Sequence, residues 1–415
     1  MESKTMEVPI GGKVFSIRVF SIGKTIEGDI ISPGLMATGE VADIKKLYAN
    51  LPLFRCGENE LMYTVFGYSD GGSSHLGEPY GNYTTPAGQD EFKNTELVLV
   101  EGGFTSLSGA RDLQEFAALK SGKTFKVDNV LACVRDVYEK SGHPVICVGP
   151  GLYSQSFFSN GSGGMNISLT ADEKERLVKT MSAEKFEELL TRSAELEDQY
   201  GENKTMREIL VAKFSGRYEY SLPDFRRRVY NNNIGVSCII MTADGYFIYT
   251  KRGKGVSVHQ GIGPSASGAA EFNKEAMSKG LAYGITYEMC RELKEEVALP
   301  SGALLLGSMQ ERVKIELGVG PEEYEIIPVS FIRELLRGGK PECWFLVKYH
   351  GTVEDLVMKI TDNRNAGKAE IDELIYAQPV QEVAEMIRHK EADGFLTHVL
   401  LAELHLTVEY LKNCS

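Results

Sequence analysis

The amino-acid sequence predicts an α/β protein, on three observations. Segments of strand composition at 14–20, 60–68, 95–101 and 144–149 alternate with helical periodicity at 111–120 and 127–140. Residues 234–250, IGVSCIIMTADGYFIYT, form two apolar runs rich in β-branched and aromatic side chains on either side of Asp244-Gly245, a strong hairpin signal. Residues 291–299, RELKEEVAL, place one arginine and three glutamates within two helical turns.

In the first part of the chain, two predicted strands run into glycine. Leu97–Val100 leads to Gly102, Gly103 and Gly109, and Val145–Val148 leads to Gly149, Pro150 and Gly151. In parallel α/β sheets ligands bind beyond the carboxyl ends of strands, but neither segment fits a dinucleotide fingerprint or a P-loop. A ligand loop and a simple tight turn both remain open. Phe158–Met165, FSNGSGGM, has the composition of a flexible loop. Thr170–Arg192 and Ala194–Tyr200 read as charged amphipathic helices, with Thr170, Ala171, Asp172 and Glu173 as a capped start. This divides the chain into an α/β domain at 1–167, a helical connector at 168–215 and a unit at 216–415 expected to fold alone. The connector also offers a surface for a homodimer.

Within the last unit, Glu292, Glu295 and Glu296 stand at i, i+3 and i+4, so they share one helical face. Met289, Leu293 and Val297 supply an apolar stripe to anchor the helix. Two readings of the acidic face stand. One is a solvated surface with Arg291–Glu295 as an ordinary i, i+4 pair. The other is a site for a hard divalent cation, Mg²⁺ or Mn²⁺, which would turn the repulsion into binding. Downstream, 342–349 reads as a buried strand, and 379–390 and 395–412 as closing helices bounded by Pro379 and Gly394.

Composition excludes several classes. With 45 basic and 58 acidic residues the net charge is −13, which opposes general binding to nucleic acid or anionic membrane. The start has no apolar core of signal-peptide length, and no run approaches the ~20 apolar residues of a membrane span, so a cytoplasmic protein without a membrane partner is expected. Seven scattered cysteines without a CxxC pair predict buried reduced thiols. The seven histidines form no HxxxH or HExxH pair, and His398 and His405 are expected on the surface or packed.

The run RELKEEVAL resembles the second half of the Nudix box. A strand, an Asp-Gly turn, a strand ending in Lys251-Arg252, a glycine loop at 261–271 and then the acidic helix is similar to the order that opens Nudix domains. The resemblance is incomplete. Tyr283 stands where the box has a glutamate, Met277 where it has a glycine, and Ala298 where it has a later glycine. The first half has therefore either degenerated or been displaced by an insertion, which the glycine loop at 261–271 supports and which would make 272–284 extra sequence before the helix. It implies a carboxyl-terminal Nudix-like α/β/α sandwich and a Mg²⁺- or Mn²⁺-dependent pyrophosphohydrolase, in which water attacks a diphosphate phosphorus. By the same resemblance Glu292, Glu295 and Glu296 bind metal. Glu271 is the first choice for a carboxylate from outside the helix, ahead of Glu342 and Glu373. Glu292, Arg291 and Glu296 would be catalytic, and Arg252, His259, Gly268, Arg337 and Glu342 would face the substrate. A basic turn of Arg333, Arg337 and Lys340 either meets phosphate or is simply solvated. A nucleoside diphosphate sugar, a dinucleotide and a capped RNA end all remain open as the nucleotide-type substrate. The rival readings are a non-catalytic Nudix-fold nucleotide sensor that regulates the amino-terminal domain, and an amino-terminal nucleotide-processing enzyme regulated by the Nudix-like domain.

Overall fold

The structure, a computed structural model, describes residues 2–22, 44–48, 51, 53–57, 59–65, 81–141, 143–214, 222, 225–252, 261–299, 301–306, 311–316, 323–365, 374–389, 392 and 396–414. Strand Gly235–Met241 is the organising element. It pairs in parallel with Lys340–Tyr349 and antiparallel with Tyr246–Arg252, so the sheet is mixed. Along these strands successive side chains serve opposite faces, as the two-residue period requires. Val236, Cys238, Ile240, Ile248, Phe345 and Val347 pack with Ile285, Met289, Leu293 and Val297 of helix Leu281–Val297. Ile239, Phe247, Tyr249, Trp344 and Leu346 pack on the other side, with Leu400, Leu401, Leu404 and Val408 of helix His398–Cys414. The apolar runs legible in the sequence are therefore strands buried on both faces. The α/β class expected from the sequence is the class observed.

The sheet does not respect the boundary expected at residue 216. Hairpin Glu2–Ile10/Lys13–Ser21 joins it through Lys13–Ser21, which pairs antiparallel with Leu374–Pro379. Ile17 and Val19 enter the core on the His398–Cys414 side. Tyr63–Val65 pairs with Tyr324–Glu334 at the same sheet. A separate three-stranded sheet, ordered Glu96–Leu99, His143–Leu152, Val130–Lys140, packs Ala132, Val134, Ile146 and Val148 into the core of helix Leu281–Val297. Main-chain bonds tie it to the later chain: Ala132 N–H donates to Ala270 O, and Ile234 N–H donates to Ala132 O.

Three local expectations are corrected. Residues 127–140 form no helix, because Val130–Lys140 is a strand paired with His143–Leu152. Val130, Val134 and Val137 have the helical spacing i, i+4 and i+7, but the turn at Ser141, with φ of 54°, lets the segment fold back onto its neighbour, and a bulge between Val134 and Asp136 restores Val137 to the buried face. Gly149, Pro150 and Gly151 lie inside His143–Leu152 and so form no loop beyond a strand end. The segment Phe158–Met165 is packed: Ser159, Asn160 and Ser162 are buried. Asn160 Nδ2 donates to Arg337 O at 2.9 Å, and Asn160 Oδ1 accepts from Asn232 N at 2.9 Å. Side-chain hydrogen bonds to distant backbone hold a stretch whose glycine and serine content reads as loose. The helices after it, Ala171–Thr180, Ala183–Tyr200 and Met206–Phe214, form a third core with Ala110, Leu113 and Phe116 of helix Ser108–Ser121. Thr170 caps the first with a reciprocal bond to Glu173.

Among the described residues no helix is long and apolar enough to cross a membrane. All seven cysteines are free; six are buried and Cys414 is partly so. His398 is packed, accepting from Met62 N–H at Nε2.

Candidate functional site

Helix Leu281–Val297 starts after Gly280, whose φ of 104° turns the chain from the short helix Lys274–Met277. It ends at Ala298, which adopts the left-handed conformation (φ 60°, ψ 31°) and donates its N–H to Leu293 O. That is the position where the Nudix-like pattern has glycine, and the geometry is one that glycine adopts without the Cβ penalty. Leu281, Ile285, Met289, Leu293 and Val297 are all fully buried. The stripe presses the helix onto the sheet so tightly that two of its glutamates are carried inside: Glu288 is 1% exposed and Glu292 8%.

Arg291 is the centre of the site. Its Nε donates to Glu288 Oε2 at 3.0 Å, Nη1 to Glu295 Oε2 at 2.7 Å, and Nη2 to Glu292 Oε1 at 2.6 Å. Nη2 also donates to Ala269 O at 3.2 Å, which ties the helix to strand Ala266–Ala269. Glu288 Oε2 accepts in addition from Glu271 N–H at 2.9 Å, and Glu296 Oε2 accepts from Ser267 N–H at 2.7 Å. A Cβ at residue 268 would stand 2.0 Å from Glu292 Oε1, so any side chain there displaces that carboxylate. The helix thus lies over this strand on a row of carboxylate contacts.

The electrostatics follow from burial. Desolvation pushes the Glu292 carboxyl up to about 7, against the opposing pull of Arg291 and with the help of Glu295 and Glu288. Burial also raises Glu288, and Arg291 again opposes it. For Arg291 burial disfavours the charge, but Glu292, Glu288 and Glu295 outweigh it and its pKa is raised. Beside this network opens a cleft of about 360 Å³, lined by Asn129, Glu271, Phe272, Tyr287, Glu288 and Arg291 among others. Asn129 Nδ2 donates to Glu271 Oε1 at 3.2 Å. Tyr283, at the position of the missing glutamate, stacks near Tyr287 with ring centres 6.5 Å apart.

The structure brings together Arg291, Glu292, Glu295, Glu296, Gly268 and Glu271 from the residues expected in the sequence. It separates Glu342 and Arg337 from them. Glu342 is in register with Gly235, which is in register with Ala269, so it stands about 10 Å from that strand by sheet spacing. Strand alternation puts Glu342 on the same face as Trp344 and Leu346, opposite the acidic helix. The basic turn is also committed elsewhere. Arg337 pairs with Glu334 and Glu342, Lys340 pairs with Glu342, and Arg333 lies over the Phe225 ring at 4.2 Å while donating to Gly339 O. These charges neutralise one another inside the protein, which corrects the expectation that Arg337 and Glu342 face a substrate beside the acidic helix. Arg252 ends its strand in register with Gly261. His259 and Glu373 lie outside the described residues.

Two participants were not among the expected site residues. The sequence places Glu288 on the acidic side of the helix with Glu292, Glu295 and Glu296, three residues before Arg291, a spacing that could have included it. Asn129 comes from the small sheet, and no local signal marks it.

A cation site needs donors that converge. The set here is carboxylate oxygen, the chemistry a hard divalent cation takes, but the convergence is on a guanidinium. Among the described residues no group of three or more His, Cys, Asp or Glu side chains is gathered to hold a metal ion. Arg291 draws Glu288, Glu292 and Glu295 to itself, and Glu296 is turned to Ser267 N–H. In this arrangement the residues do not fit the Mg²⁺ or Mn²⁺ that the Nudix resemblance implies. What they do provide is a buried carboxylate that titrates near neutrality, oriented by an arginine at the edge of a cleft. Comparison of the chain with family models and with curated proteins gives no match.

Proposed function

We propose that the protein hydrolyses a phosphoanhydride in a nucleoside diphosphate-linked compound, at the cleft beside helix Leu281–Val297. The observation that carries this reading is the placement of Glu292, a buried carboxylate that accepts from Arg291 Nη2 at 2.6 Å directly behind the Arg291 lining of the cleft, where burial pushes it up to about 7, the range in which a general base works best. Ionised Glu292 takes the proton from a water that attacks phosphorus. Arg291 orients that carboxylate through Glu292 Oε1 and holds the helix to Ala269 O, while Glu288 positions Arg291 and the Glu271 backbone. The order of hairpin, glycine-bearing strand and RELKEE helix supports the assignment. No step is routed through a metal, because the carboxylates are gathered on Arg291. Seven free thiols fit a reducing, cytoplasmic setting.

The hold of Arg291 on three glutamates favours one other reading, a sensor that binds a nucleotide without turning it over. Incubating the full chain with nucleoside diphosphate sugars, dinucleotides and capped RNA, with Mg²⁺, with Mn²⁺ and with chelator, separates the two. Product release that falls sharply in Glu292→Gln supports hydrolysis. Saturable binding of a panel member without product supports the sensor.

A further inference from the structure

We propose that the protein has a second ligand site, a basic pocket that takes a small phosphate-bearing anion. The pocket encloses about 700 Å³, within the roughly 300–1,000 Å³ usual for small-molecule sites. Its wall is built from helix Ser108–Ser121, the packed segment after helix Tyr153–Ser159, helices Ala171–Thr180 and Met206–Phe214, and the turn at Leu335–Arg337. Five cationic side chains line it, Lys120, Lys123, Arg176, Arg207 and Arg337, against the single carboxylate of Glu173. On a chain of net charge −13 this is a local reversal of sign.

Two of the five are already committed. Lys120 donates to Asn166 O, Ser168 O and Glu173, and Arg337 is neutralised by Glu334 and Glu342. The other three keep capacity. Arg207 is only 5% exposed; one nitrogen donates to Leu336 O, and its Nε has no hydrogen-bond partner among the described residues. A buried donor left without a partner is costly, and an incoming oxygen near the guanidinium would relieve that. At the rim, Lys123 lies over the Phe157 ring at 4.4 Å from its centre, and Arg176 is exposed. A buried guanidinium and two exposed cations lining one pocket make an anion receptor, and arginine's fork matches phosphate oxygens. This site stands apart from the hydrolytic reading, with different residues and the opposite charge.

The test is isothermal titration of inorganic pyrophosphate into the full chain. Wild type should bind saturably, and affinity should fall as salt is raised. Lys123→Glu and Arg176→Glu, both at exposed positions and so compatible with folding, should each weaken binding by about tenfold with unchanged melting temperature. Absence of saturable binding in wild type overturns the proposal. So does a Lys123→Glu/Arg176→Glu double variant that binds within about twofold of wild type, because the anion would then be held elsewhere.

Discussion

Gly268 lies directly against Glu292: a Cβ built on Gly268 would stand 2.0 Å from Glu292 Oε1. The atom in the way is the far end of a flexible side chain, so Gly268→Ala should fold, with the carboxylate swung aside and its bond to Arg291 lost. The expected loss of stability is about 1 kcal/mol, the low end for overpacking. Any turnover should fall by on the order of a hundredfold, as for a misplaced catalytic group. Denaturant unfolding alongside product release checks both, and unchanged turnover would contradict the positioning role of this glycine.

Glu292 gives the protein a pH dependence of defined sign. A glutamate titrates near about 4.3 in an unfolded chain, whereas burial raises Glu292 to about 7 in the fold. The folded state therefore holds this proton more tightly than the unfolded state. The associated stability is fully present below about pH 4.3 and is lost as pH rises through about 7, by at most on the order of 4 kcal/mol. Glu292→Gln stays neutral and should not show this loss. Melting temperatures from pH 5 to 8 should fall for wild type relative to the variant, and parallel curves would show that Glu292 is ionised throughout.

Ala298 occupies a left-handed helix terminus at φ 60°. A Cβ there costs roughly 1–2 kcal/mol, partly offset because glycine has more freedom to lose when unfolded. Ala298→Gly should therefore raise stability by about 1 kcal/mol without touching the carboxylates. A lower melting temperature in the glycine variant would mean that Ala298, which is 8% exposed, is held by its packing.

The amino-terminal hairpin should be indispensable to the later sheet. Removing residues 1–22 uncovers Leu374–Pro379 as an edge strand and strips Phe15, Ile17 and Val19 from the core. Unpaired edges with apolar neighbours template aggregation. The truncated chain should accumulate in the insoluble fraction and scatter light on refolding. A soluble product with the parent melting temperature would show that the hairpin is an appendage.

What was legible in the sequence was local. The hairpin around Asp244-Gly245 and the helix carrying RELKEE each announce themselves by period and turn chemistry within a window of a few turns, and both are observed. The face of Glu342 was also written in the alternation of Glu342, Trp344 and Leu346, although its acidity alone drew attention. The hairpin's seat at Leu374–Pro379 was hidden because it pairs opposite ends of the chain, and no local pattern encodes such a partner. Val130–Lys140 was misleading for another reason: its valines stand at the helical i, i+4 and i+7, and only a bulge between Val134 and Asp136, made on pairing with His143–Leu152, puts Val134 and Val137 on one buried face of a strand. The acidic face itself fits neither expectation fully. It is neither simply solvated nor gathered for a metal, because Arg291, on the same helix, provides the counter-charge.

The central claim is that Glu292 serves as the base for water attack, and the most direct measurement is single-turnover cleavage of a phosphoanhydride substrate in ¹⁸O-labelled water. The account predicts ¹⁸O in a phosphate group of the product with wild type, and a rate lower by about 10²–10⁴-fold in Glu292→Gln at pH 8. Cleavage by Glu292→Gln at the wild-type rate, or no labelled product from wild type with any panel compound, would contradict it.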